Sequence, residues 1–338
     1  MLQNETCQTR RALNLALGKA VLGFVGTGVT APAFAQTPDS AYPVRPVKIV
    51  VPFATGGPAD NYARFIAQRL QERLGQAFVV ENRPGAGSII GTDQVAKSAP
   101  DGYTLLMMSN THTVNETFIP NKPYSLLRDF IGVAPVNFSD LVLVAHPKAG
   151  VRSLGELIAK AKANPGKINY ASSGLGTPYH LAGELFKSLA GIDLVHVPYK
   201  GSSNARTDVL AGHVDLMFDA VTTMAEQARS GKVVALATSG KKRSSVMPNI
   251  PTLHESGVLN YESTIWLGVV APRATPRPIV NRLNDEIGRI VAQNEVRDVW
   301  AKQGASPILL GVDKFEAYIK EDVEKWSTLI KSANIRPE

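Results

Sequence analysis

Hydrophobic and polar positions follow a repeated order along this chain: a short apolar run, a glycine-bearing loop, then apolar residues spaced three and four apart. The first such unit runs from Lys48 to Gly75. Ile49, Val50 and Val51 predict a buried strand, and Gly56 and Gly57 a loop. Pro58 opens a helix, because proline at the first helical position wastes no amide hydrogen and carries a pre-set φ. Ala63, Ile66, Ala67, Leu70 and Leu74 form one stripe, with Arg64, Arg69, Glu72 and Arg73 mostly off it before Gly75 ends the run. Asp60 in the first turn suits the positive end of the helix dipole. A strand feeding a glycine loop and a helix N-terminus presents backbone N–H groups to a cleft, which makes an anion or carboxylate site.

The same grammar continues. A strand over Ala77 to Val80 breaks at Asn82-Arg83-Pro84-Gly85, and Gly85 to Ser88 leads into a helix through Lys97. Tyr103 to Met108 is a third strand, ending in the loop Ser109-Asn110-Thr111-His112. Strands alternating with helices predict a mostly parallel sheet with ligand loops beyond the strand C-termini. After an extended apolar segment from Ile131 to His146 and a helix opening at Ser153, the first unit returns. Lys167 to Tyr170 is a strand, Ala171 to Gly176 a small-residue loop, and Thr177-Pro178 caps a helix whose stripe is Leu181, Ala182, Leu185 and Leu189. Two such units about 120 residues apart predict two α/β domains that share a cleft. Later strands fall at Leu194 to Val197, Val214 to Phe218, Val233 to Thr238 and Trp266 to Val270, and helices from Pro278 onward form an outer layer.

Residues 1–35 read as an export signal: Arg10 and Arg11, an apolar run from Ala12 towards Val29 that Lys19 interrupts, and Ala33-Phe34-Ala35 as a cleavage site. Thr9-Arg10-Arg11 leaves both the general and the twin-arginine export routes open. Cleavage removes Cys7, the only cysteine, so the mature protein is held by its core rather than by disulfides. No second long apolar run follows, and a soluble periplasmic protein is expected. The net charge of +7 falls by 2, to about +5, with the signal. Its charges are dispersed apart from Lys241-Lys242-Arg243, a pattern that argues against nucleic acid as a partner.

Catalytic and cofactor signatures are incomplete. Gly85 to Gly91 lacks both the GxGxxG spacing and the Lys-Ser/Thr of a phosphate loop. Ser172 and Ser173 lack the flanking glycines of a nucleophile elbow, although a hydrolase built on either serine with His196 stays open as an alternative. The six histidines stand singly, so neither metal nor cofactor is expected. Asp215 and Asp219 bracket a strand end, and Asp219 falls where ligand loops gather.

Six stretches in order carry a family pattern. They are Pro52 to Asp60 with Ala63-Arg64, Glu81 to Gly87, Pro100 to Leu106, Tyr170 to Gly174 with Gly176-Thr177, Val197 to Gly201, and Ala271-Pro272 with Thr275-Pro276. Over nearly all of the mature length the chain resembles the Bug-type receptors of tripartite tricarboxylate transporters. The resemblance implies an α/β, two-lobed periplasmic binding protein of the type II class, with the ligand cleft between lobes. Residues 36–138 and 260–338 would form lobe 1, and 139–259 lobe 2. It implies a monomeric, non-enzymatic receptor for a small mono- or dicarboxylate, an acidic amino acid or an aromatic acid. Partners would be integral membrane transporter subunits, or a sensor protein. By position, the ligand contacts would be Phe53, Ala54, Thr55, Gly56, Ser88 and Asn110 from the first lobe and Ser172, Gly176, Thr177 and Asp219 from the second. Two places depart from the family pattern: Ser88 stands where another glycine is common, and the loop Ser109-Asn110-Thr111 differs.

Overall fold

The computed structural model describes residues 42–332 and 335 of the 338, so the expected export signal lies outside the described residues. The opening unit folds as strand β1 (Val47–Val51) and helix α1 (Pro58–Leu74). Ala63, Ile66, Ala67 and Leu70 are buried, Leu74 is half-buried, and Gly75 ends the helix in the left-handed conformation at φ 71°. Strand β2 (Phe78–Asn82), helix α2 (Ile89–Ala96) and strand β3 (Thr104–Ser109) follow. The segment read as a loop at Thr111-His112 opens a further helix, α3 (Thr111–Phe118), and a short α4 (Leu126–Asp129) comes before the long strand β4 (Phe130–Ala145).

Helix α5 (Leu154–Ala163) is capped by Ser153, whose hydroxyl accepts the amide of Glu156. Strand β5 (Asn169–Ser172) and helix α6 (Pro178–Ala190) repeat the opening unit, with Thr177 as the cap and Gly191 closing the helix. Three of the four expected stripe residues of α6 are buried, but Leu189 is exposed and Phe186 takes the core position instead. Next come β6 (Val195–Pro198), α7 (Ser202–Ala211), β7 (Leu216–Ala220), α8 (Val221–Arg229) and β8 (Val234–Thr238). The chain closes with β9 (Thr264–Pro272), α9 (Arg277–Val291), α10 (Asn294–Gln303), β10 (Ala305–Pro307) and α11 (Val312–Ser332).

The expectation of a mostly parallel sheet needs correction. Two parallel triplets do form, β2-β1-β3 and β6-β5-β7, each centred on the strand of a repeated unit. The other pairings are antiparallel and run through two long strands. β4 pairs with β9 from Phe130 to Asp140, then with β7 and β8 from Leu141 to Ala145. A single long strand thus serves both halves, and apolar alternation cannot report which neighbour a strand will choose. Ser239 ties the changeover together: its hydroxyl donates to the carbonyl of Ser263 and accepts the amide of Leu141 at 2.7 Å.

Separate cores flank the two halves. Ile49, Ile66, Leu70, Leu105 and Leu283 lie in one, and Leu143, Leu157, Tyr170, Phe186 and Phe218 in another. Each repeated unit is therefore anchored by its own buried strand and helix, which leaves the intervening loops to face one another.

Candidate functional site

The loop after β1 is organised from within. Asp60 is buried and accepts hydrogen bonds from the Gly56 amide at 2.9 Å and from Asn82 Nδ2 at 3.0 Å, and it pairs with Arg64 at 2.9 Å. Burial opposes ionisation of Asp60, but the hydrogen bonds from Arg64, the Gly56 amide and Asn82 outweigh it and hold the carboxyl below its ordinary value. Asn82 also donates to the carbonyl of Phe53 at 3.1 Å. The amide of Gly56 is thus committed to holding the loop, while Phe53 and Ala54 are fixed facing the interior.

Opposite stand the loops of the second half. Ser203 Oγ donates to the carbonyl of Thr55 at 2.9 Å, Gly201 packs on Ala54, and Ser202 Oγ lies beside Gly57. Within the first half Asn115 Nδ2 donates to the carbonyl of Gly87 at 2.9 Å, and a β-carbon added to Gly87 would come 2.7 Å from the carbonyl oxygen of Leu175 in the second half. The facing loops are therefore in contact.

Two spaces lie between them. An inner chamber of about 20 Å³ is lined by Phe53, Ala54, Gly57, Pro58, Ala59, Ser109, Thr111, Ser173, Pro178, Tyr179, Ser202, Ile265 and Leu267. Four helices, α1, α3, α6 and α7, bring their first residues to it, although Pro58 and Pro178 carry no amide hydrogen and the Thr111 amide donates to Ser109 Oγ at 3.2 Å. None of its lining residues is a lysine, arginine, aspartate or glutamate. The Tyr179 hydroxyl is buried there without a hydrogen-bond partner among the described residues. Such a chamber holds roughly one water. An outer cavity of about 390 Å³ adjoins it across Phe53 and Ser173, and this one has the size of a small-molecule site. It is bordered by the Gly85–Ile89 loop, Ile119, Gly174, Leu175 and the Pro198–Lys200 loop.

The sequence-derived contacts divide accordingly. Phe53 borders both spaces, Ala54 the inner chamber and Ser88 the outer cavity. Ser88 sits at φ 80°, a conformation disfavoured for side chains with a Cβ, and its hydroxyl is buried with no partner among the described residues. Its carbonyl accepts from Thr92, which is also 2.9 Å from His112 Nε2, while His112 Nδ1 accepts the Ser109 amide. Burial lowers the His112 pKa to about 4, so the ring is a neutral strut between two cavity loops.

The remaining expected contacts border neither space and support the loops instead. Thr55 and Gly56 are exposed and bonded to Ser203 and Asp60. Asn110 donates to the carbonyl of Thr264 at 2.8 Å. The Gly176 amide donates to His180 Nδ1, and Thr177 Oγ1 donates to the carbonyl of Gly174 at 2.7 Å. Asp219, expected just past its strand, lies within β7 and is fully buried. It accepts from Arg206 Nε and from the Ala220 amide, both at 2.8 Å. Burial raises the Asp219 pKa even against the attraction of Arg206.

The histidines are less isolated than their spacing indicated. His180 and His196 stack at 4.1 Å, and His196 Nε2 is 2.6 Å from Ser172 Oγ. Burial pulls both rings down to about 3, so neither is charged at neutral pH. Among the described residues no group of three His, Cys, Asp or Glu side chains is placed to hold a metal ion, and no helix is long and apolar enough to cross a membrane.

Ser109, Ser173, Tyr179 and Ser202 line the inner chamber and were not among the expected contacts. Tyr179 follows the predicted start of α6, so the position of a residue just inside a helix start was the available signal there, whereas Ser202 opens α7 where only a loop is legible.

Comparison with known proteins identifies the family. Residues 62–335 match the model of the tripartite tricarboxylate transporter family receptor. The chain is 38% identical to Protein BugT of Bordetella pertussis, over 96% of this chain and 99% of that protein. An R. palustris protein solved with adipate superposes with a TM-score of 0.85 at 33% identity, covering 88% of this chain and 100% of the other. MatC from Rhodopseudomonas palustris, solved with bound malate, gives a TM-score of 0.82 at 31% identity, covering 86% and 100%. The periplasmic binding protein BugD superposes likewise, with a TM-score of 0.84 at 36% identity, covering 88% of this chain and 100% of the other. The chain belongs to the tripartite tricarboxylate transporter receptor family, among its Bug-type members.

Proposed function

We propose that this protein is a periplasmic receptor that closes two lobes on a small carboxylate and presents it to the membrane subunits of a tripartite tricarboxylate-type transporter. The observation that carries the reading is the inner chamber, where four helix N-termini and the hydroxyls of Ser173, Tyr179 and Ser202 meet with no basic side chain. Amide and hydroxyl donors hold a carboxylate without a buried countercharge, which suits a site that must release its cargo. In this reading the chamber holds a water or the tip of the carboxylate, and the body of the ligand fills the outer cavity.

Phe53, Ala54 and Ser88 are the first-lobe contacts, and Ser173, Tyr179 and Ser202 face them. Thr55, Gly56, Asn110, Ser172, Gly176, Thr177 and Asp219 hold the loops in place. The lobes are 36–138 with 260–338 and 139–259, hinged where β4 changes partners, and the protein acts as a monomer after loss of residues 1–35. Transfer of ligand depends on differential binding to the closed form.

Thermal shift of the purified protein against organic, aromatic and amino acids tests this reading. A ligand at 100 times its dissociation constant adds about 2.7 kcal/mol of stability. Tight binding of a neutral solute with no response to any acid refutes it.

The 2.6 Å approach of Ser172 and His196 favours examination of a second reading, a hydrolase. Against it stand the full burial of Ser172, its hydrogen bonds in both directions with Gly174, and the weak basicity of His196. A serine-directed phosphonate that labels Ser172 would establish the hydrolase. A sensor role differs from transport only in the partner, and pull-down with the membrane subunits separates the two.

A further inference from the structure

Asp140 is the last residue of β4 to pair with β9, where it stands opposite Thr264. The next residue, Leu141, pairs with Ala220 of β7 and gives its amide to Ser239. Rotation of one half against the other therefore falls on the backbone around Asp140 and around Glu262 to Thr264. The Asp140 carboxyl lies directly over the backbone of Gly240: a β-carbon placed on that glycine would come 2.6 Å from Oδ1 and 2.8 Å from Oδ2. Asp140 is half-buried, and its carboxyl accepts no hydrogen bond and joins no ion pair among the described residues. The elements about it bring one acidic and one basic group. Glu262, just before β9, acts on it as a like charge, and Lys241 pairs with Glu262 at 3.3 Å from a mostly exposed position. Thr264 and Gly240 are uncharged, and β10, which pairs with the preceding Ser139 through Ala305, carries no charged residue.

A carboxylate without donors depends on water for its stability. With the loops of the two halves in contact, burial against Gly240 and then the charge of Glu262 push the Asp140 carboxyl up to about 6. Resting on the receptor reading and its hinge at β4, we propose that Asp140 is a proton switch in the hinge: closure of the lobes seats its carboxyl on Gly240 and takes up a proton, and opening returns water to it and releases the proton. A group whose pKa is higher in the closed form favours closure below that value and ceases to do so as the pH rises through about 6. Affinity for an acid ligand therefore increases on acidification. The buried rings of His112, His180 and His196 stay neutral over this interval and do not contribute to it.

Isothermal titration with the tightest-binding acid of the thermal-shift panel, between about pH 5.5 and about pH 7.5 where carboxylic acids stay ionised, tests the proposal. Wild-type affinity is expected to rise about threefold or more on acidification, and titration in two buffers of different ionisation enthalpy should show net proton uptake on binding at intermediate pH. Asp140→Asn should bind at neutral pH as the wild type does at acidic pH, and lose the dependence. Glu262→Gln removes the like charge, so it should keep the dependence but move it to lower pH, which a merely structural role would not do. Affinity independent of pH, binding without proton uptake, or a dependence that survives unchanged in either variant overturns the hinge switch and leaves the receptor reading standing. Absence of binding by every acid overturns both.

Discussion

Gly201 lies against Ala54 so closely that a β-carbon on the glycine would come within 2.6 Å of the alanine β-carbon and 3.2 Å of its amide nitrogen. The backbone of Gly201 is extended, at φ 164°, so a larger residue is excluded by contact rather than by conformation. Gly201→Ala should therefore hold the loops apart. Affinity for the best carboxylate should fall about tenfold or more, which is about 1.4 kcal/mol. The melting temperature without ligand should hardly change, because the substitution strains no dihedral. Calorimetric titration and thermal unfolding of the same preparation check both halves. An unaltered affinity would mean that binding does not need this contact.

Thr177→Ala should separate capping from binding. The hydroxyl donates to the Gly174 carbonyl and accepts weakly from the His180 amide at 3.4 Å, and it borders neither space. Loss of an N-cap hydroxyl costs about 1 kcal/mol. Denaturant unfolding should register that cost while affinity stays within about twofold, or about 0.4 kcal/mol. A larger drop in affinity would return Thr177 to the list of ligand contacts.

Asp219 and Arg206 form a buried pair behind the site. Arg206 Nη2 has no partner among the described residues, so Asp219 is the charge that balances it. Asp219→Ala should destabilise the protein by about 3–5 kcal/mol, since it leaves a buried guanidinium alone. Replacing both residues with apolar ones should recover much of that loss. Selectivity among acids, measured on folded protein at low temperature, should be retained in either variant. A switch of selectivity would show that Asp219 reads the ligand.

Asp140 supplies a pH signature at the strand changeover. Burial, and then the charge of Glu262, pushes its carboxyl up to about 6, while Glu262 itself pairs with Lys241 at 3.3 Å. A carboxyl whose folded pKa exceeds its ordinary 3.8 binds in the folded state a proton that the unfolded chain has released. Stability from this group therefore rises as the pH falls from about 6 toward 3.8, and above about 6 Asp140 is a standing cost. Asp140→Asn should raise the melting temperature at neutral pH and flatten the wild-type profile over that interval. Equal melting temperatures at neutral pH would show that the charge is well solvated.

The sequence by itself determined the local units. Proline at the start of α1 and α6, glycine at their ends and the apolar stripes fix helix position through backbone geometry and burial, which are properties of neighbouring residues. The family motifs likewise lie in continuous stretches, and so were legible. Strand partners were not: the two parallel triplets followed from the repeated units, whereas the choice of β9, β7 and β8 by β4 depends on residues more than 70 positions away.

The site shows the same division. Phe53 and Ala54 could be named because their motif places them at a strand end, and Ser88 because it adjoins the Glu81 to Gly87 motif; the structure sets all three beside the cavities. Gly56 and Asp219 were named for chemistry that the fold uses elsewhere, the first amide on Asp60 and the second carboxylate on Arg206. Tyr179 and Ser202 come to line one chamber with Phe53 only because loops distant in sequence face each other. A donor's availability depends on whether a partner has already taken it. That is settled by tertiary contact, because hydrogen bonds and desolvation act over a few ångströms of space and not along the chain.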